Sequence, residues 1–79
     1  SQDPILYNLF AKVYAKQGKK LLQFESLAEA AYYNFNLQEA IMRMDLAIKA
    51  NDGDFYQKSR VESRLKHFHR EQELHTVDN

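Results

Sequence analysis

The chain contains no cysteine and no tryptophan, and only one proline and two glycines in 79 residues. Without thiols it can form neither a disulfide framework nor a thiolate metal site. With so few helix breakers, long stretches rich in Ala, Leu, Lys, Gln and Glu run uninterrupted, which is a helical composition. An excess of either charge is missing too. Eleven Lys and Arg balance eleven Asp and Glu, so no global field draws the chain onto nucleic acid or a membrane. No apolar run approaches the ~20 residues of a membrane-spanning helix. The opening Ser1-Gln2-Asp3-Pro4 has neither the basic nor the apolar region of a signal peptide. One domain is expected at this length. It would bury only about 60% of its unfolded surface, so it is marginal alone or leans on something larger.

What is present is punctuation between apolar stripes of helical period. Asp3-Pro4 sets an N-cap acceptor before a proline at the first helical position. Ile5, Leu6, Leu9, Phe10, Val13 and Tyr14 then follow at helical spacing, and Gly18 closes the segment. A second stripe runs through Phe24, Leu27, Ala28, Ala31 and Phe35. Asn36-Leu37-Gln38-Glu39 has the form of a capping box and leads into Leu37, Ala40, Ile41, Met44, Ala47 and Ile48. The spacing predicts helices over about 4–17, 20–35, 37–50 and 55–74, with Phe55, Val61, Leu65 and Phe68 inward on the last and a frayed tail at 75–79. Connections this short make neighbouring helices antiparallel.

The stretch Asn51-Asp52-Gly53-Asp54 reads as a metal loop or as a turn. With Asp52 at position 1 of a calcium loop, position 6 is Gln57 where glycine is required and position 12 is Ser63 where a glutamate is required. The turn reading needs less. Gly53 takes positive φ, Asp52 shapes the reversal, and Asp54 with Gln57 three residues on forms a second capping box.

Repeats show in the same stripes. Tyr7-x2-Phe10-Ala11-x2-Tyr14 and Phe24-x2-Leu27-Ala28-x2-Ala31, continued by Ala40-x3-Met44 and Ala47, resemble the tetratricopeptide (TPR) pattern. Small residues at Ala28, Ala40 and Ala47 let one helix dock closely on the next. The resemblance is degenerate: Asp52 stands where proline is expected, and the first pattern precedes the second by 17 residues rather than 34. The fold it implies is all-α, a TPR-like antiparallel array (alpha-alpha superhelix) of about four helices in one domain spanning residues 1–79.

A narrower likeness is carried by the final helix, Tyr56-Gln57-Lys58-Ser59-Arg60-Val61-Glu62-Ser63-Arg64-Leu65, and by the Ala-rich helices before it. Over about residues 4–70 the chain resembles the C-terminal region of bacterial periplasmic zinc metallopeptidases of the beta-barrel assembly-enhancing protease type. This resemblance implies a periplasmic parent in which an HExxH zinc peptidase domain precedes a TPR scaffold. The scaffold would recruit substrate proteins or dock on outer-membrane assembly machinery. The zinc chemistry would lie outside this chain. His67-Phe68-His69-Arg70-Glu71 sets its histidines two apart, about 200° around a helix, so they cannot share one ion. No metal, cofactor or catalytic residue is therefore assigned here.

Within the TPR register the groove side would present Glu25, Glu29, Tyr32 and Tyr33, and the first helix Asn8, Lys12 and Lys16. These seven are the candidate partner-binding residues for a protein or peptide. Ala28, Ala40, Ala47, Gly53 and Asp54 are the structural ones. Tyr14 and Tyr32 also read as core, and His67, Glu71 and His75 read as a solvated helix end. Arg60 and Arg64, one turn apart, suit structural pairing or an acidic partner. A stand-alone adaptor, or a nucleic-acid-binding domain using the basic last helix, is the alternative.

Overall fold

The computed structural model describes residues 2–77, with side chains through His75. Four helices and no strands make up the described chain: α1 Pro4–Lys16, α2 Lys20–Tyr33, α3 Leu37–Lys49 and α4 Phe55–Val77. Each helix packs on its predecessor, and α4 also comes back to touch α2, whereas α1 packs on α2 alone.

Closeness between helices comes from small side chains. Ala28, Ala40 and Ala47 are each fully buried, in one cluster with Leu21, Ala31, Met44, Val61 and Phe68. The alanines let α2, α3 and α4 approach, and the four large members fill what remains. Each of those contributes about 2 kcal/mol by leaving water. Leu37, Ile41, Ile48 and Leu65 pack against the cluster from its rim.

Two inward assignments change. Phe35 is 97% exposed, because α2 ends at Tyr33 and Phe35 lies beyond it in the turn. Phe55 is 77% exposed: the buried stripe of α4 passes through Gln57, Val61, Leu65 and Phe68, and Phe55 sits about 200° around the helix from Gln57. The boundaries shift as well. α1 and α3 stop one residue short of 17 and 50, where Gln17 and Ala50 are the C-caps. α4 continues through Val77 where a frayed tail was expected from 75, while residues 78–79 lie outside the described residues.

The first two turns share one geometry. After α1 the Lys19 N–H donates to the Tyr14 carbonyl and the Gly18 N–H to Ala15; after α2 the Asn36 N–H donates to Ala31 and the Phe35 N–H to Tyr32. Both are Schellman endings, which place one residue in the left-handed region. That residue is Gly18 (φ +71°) in the first turn and Phe35 (φ +63°) in the second. The same bond alters the expected capping box at α3. The Asn36 side chain accepts from the Glu39 N–H at 3.2 Å, but the Asn36 N–H is already spent on Ala31, and the Glu39 carboxylate lies 4.0 Å from Arg43 instead.

The third turn starts two helices at once. Asp54 and Gln57 form the reciprocal box that begins α4: the Gln57 N–H donates to Asp54 Oδ1 at 2.8 Å, and the Asp54 N–H to Gln57 Oε1 at 3.1 Å. Asp52 caps a different helix. Its carboxylate accepts from the Lys20 N–H and from the Leu21 N–H, the latter at 2.9 Å, so it begins α2 from more than thirty residues away. The preceding Lys19 makes no side-chain cap of its own. Those N–H donors, Leu21 first, hold the Asp52 carboxyl below its ordinary range. Gly53 does not take positive φ, which corrects its expected role. It is needed for space: a Cβ there would fall 2.2 Å from Leu21 Cδ1.

Candidate functional site

α1, α2 and α4 enclose a groove of about 720 Å³. Its α2–α4 wall is built from matched helical spacing. Glu25 and Glu29 are one turn apart on α2, Arg60 and Arg64 one turn apart on α4, and each acid sits 35 positions before its base, so the two helices align them pair to pair. Both pairs are bidentate. Arg60 Nε and Nη2 donate to Glu25 at 2.6 and 2.8 Å, and Arg64 Nε and Nη2 to Glu29 at 2.8 and 3.0 Å. The second pair is the drier, with 27% of the Arg64 side chain and 13% of the Glu29 side chain exposed.

Arg64 is fixed from behind by aromatic faces. Its guanidinium carbon lies 4.7 Å from the Tyr32 ring centre and 4.8 Å from that of Phe68, and Tyr32 and Phe68 are themselves stacked at 4.7 Å. The Tyr32 hydroxyl donates to Glu71 Oε1 at 2.6 Å. That bond, with burial adding to it, pushes the Tyr32 phenol up to about 12.

α1 closes the groove with Tyr7, Phe10 and Tyr14. Tyr7 stacks on Tyr33 (centroids 5.8 Å apart, planes 12° apart), and the Tyr33 hydroxyl accepts from Arg64 Nη2 at 3.3 Å. Burial, and then the nearby Glu29 charge, raise the Tyr7 phenol above its ordinary value.

Of the seven partner-binding candidates, Glu25, Glu29 and Tyr33 line the groove. The two carboxylates face Arg60 and Arg64 rather than open solvent. Tyr32 lies behind this wall, against Phe68 and Glu71. Asn8, Lys12 and Lys16 are exposed but outside the groove lining. The α1 register turns because Tyr7, Phe10 and Tyr14, at i, i+3 and i+7, form one face, and Asn8 and Lys12 fall well around the helix from it. Arg70 also lines the groove and makes no ion pair among the described residues. Sequence reasoning passed over Phe10 and Arg70 as groove residues. The Tyr7/Phe10/Tyr14 spacing carried the signal for the first.

Ser63 and His67 share the groove, but no hydrogen bond joins them, and His67 Nε2 lies 2.9 Å from Glu71 Oε1. Among the described residues no three His, Asp or Glu side chains converge to hold a metal ion. Chemically, the site offers stiff aromatic faces, phenolic hydroxyls and guanidinium donors, a set suited to a peptide backbone and its side chains. No family model, curated protein or solved structure matches the chain.

Proposed function

We propose that this chain is a non-catalytic protein-binding scaffold that holds a partner's peptide in the groove between α1, α2 and α4. The observation carrying the proposal is the preset wall, in which two bidentate Arg–Glu pairs and the Tyr7–Tyr33 stack hold their side chains in place before any ligand arrives. Side chains already fixed cost less entropy on binding. Pairing Arg60 and Arg64 with carboxylates also withdraws them from phosphate recognition, which favours protein over nucleic acid as the partner.

The order of helix packing, α2 on α3, α3 on α4 and α4 back to α2, supports a TPR-like reading. The resemblance of the last helix extends the proposal to a periplasmic setting behind a zinc peptidase domain, serving outer-membrane protein assembly. A stand-alone adaptor is the alternative, and the coding sequence upstream of residue 1 distinguishes them by the presence or absence of HExxH.

The groove is tested by an NMR titration with a panel of synthetic peptides. Binding that perturbs Tyr7, Tyr33 and Arg70, and that Tyr33→Ala weakens at least tenfold, supports the proposal. Peptides that bind elsewhere, or with unchanged affinity for Tyr33→Ala, overturn it.

A further inference from the structure

Outside the groove, α1 carries a second surface. Ile5, Leu9 and Val13 are 71%, 52% and 50% exposed. They fall at i, i+4 and i+8, within about 80° of one another on the helix. α1 packs on α2 alone, so this row faces away from the body. Lys12 and Lys16 share the same flank and make no ion pair among the described residues. No Asp or Glu lies within α1. The flank is thus an apolar ridge beside two uncompensated positive charges, on a helix about 20 Å long.

We propose that this flank docks an amphipathic helix of a partner protein, with an apolar stripe against Ile5, Leu9 and Val13 and Asp or Glu side chains against Lys12 and Lys16. A ridge of side chains four apart fits the groove on a second helix. The charges select which helix: acids meet the lysines favourably, and a basic helix is repelled. The surface is distinct from the groove, and the proposal does not depend on what the groove binds.

The test uses two synthetic amphipathic helical peptides with one leucine stripe, flanked by glutamates in one and by lysines in the other. Their binding to the full chain is followed by fluorescence anisotropy at low salt. The glutamate peptide is expected to bind at least tenfold tighter. K12E/K16E reverses that preference, Leu9→Asp abolishes binding, and Tyr33→Ala leaves it unchanged, so that failure of this proposal and failure of the groove reading are separable. Leu9, Lys12 and Lys16 are exposed, and circular dichroism checks that each variant, Tyr33→Ala included, is folded. Equal binding of the two peptides, or binding of neither, overturns the proposal. So does a dimer of the chain alone in sedimentation that Leu9→Asp dissolves, since a second copy then occupies the flank. Flotation with anionic phospholipid vesicles that K12E/K16E removes overturns it in favour of a membrane surface.

Discussion

Along the seam of α2 and α4, Glu25 and Glu29 meet Arg60 and Arg64 pair by pair, backed by stacked rings. On the outer flank of α1, Ile5, Leu9 and Val13 are left largely to solvent, and Lys12 and Lys16 have no carboxylate partner among the described residues. Both regions combine apolar bodies with charged heads. In the first the charges are matched and the side chains fixed, so a change is felt in folding. In the second nothing is matched, so a change is felt in binding. The contrast separates a groove wall preset by the fold from a flank on which nothing is preset.

Breaking the matched seam has the largest expected effect. Glu29→Ala leaves Arg64 half-buried over Tyr32 and Phe68 without its bidentate acceptor, and should lower unfolding free energy by about 2–3 kcal/mol in urea titration. Next comes Tyr32→Phe, which deletes the hydroxyl bonded to Glu71 and should cost about 1.5 kcal/mol. The same bond has a pH signature. A phenol raised from 10.0 to about 12 in the folded chain favours its protonated form there. Its stabilisation is therefore complete below pH 10 and is lost as pH rises through 12, which a series of denaturant midpoints follows and which Tyr32→Phe removes.

The two Schellman turns sharpen the comparison with a change that should stabilise. Phe35 adopts a left-handed backbone where the preceding turn has glycine, and its ring is 97% exposed. Phe35→Gly relieves the Cβ penalty with no packing to lose, and should raise stability by about 1 kcal/mol in thermal melts. Asp52→Ala removes the distant cap of α2 and should cost a similar amount, about 1 kcal/mol. Because its carboxyl is held below the ordinary range in the folded chain, the cap's contribution is present above that range and fades as pH falls through the lowered value. Leu9→Asp, on the bare flank, should change unfolding free energy by no more than about 0.5 kcal/mol, a limit that urea titration checks.

Local features were legible wherever a residue acts on its near neighbours. Asp3 caps α1, Asp54 and Gln57 cap each other, and Gly18 closes the first turn, all within a few positions in the chain. Spacing also pointed to Ala28, Ala40, Ala47, Met44, Val61 and Phe68, because an apolar residue on a repeating helical face has one place to go. Phe35 and Phe55 were misjudged for the converse reason. Phe35 lies beyond the end of α2 and Phe55 on the far side of α4 from its stripe, and hydrophobicity alone does not say that a turn or a helix start has placed a ring outward. Glu25 and Glu29 were legible as groove residues and Arg60 and Arg64 as pairing residues, but not that the two sets pair with each other.

The amino-acid order by itself determined four helices, most of their ends and a core of alanines and large apolar side chains, because those follow from hydrogen bonds and periodicities a few residues long. Only the tertiary structure decided that Asp52 begins α2, that Gly53 is required for the approach of Leu21, that two acids on α2 face two arginines on α4, and which face of α1 enters the groove. Each of these depends on groups roughly twenty to forty residues apart meeting at bonding distance. That is fixed by the angle and register at which packed helices cross, and no short window of the chain contains it.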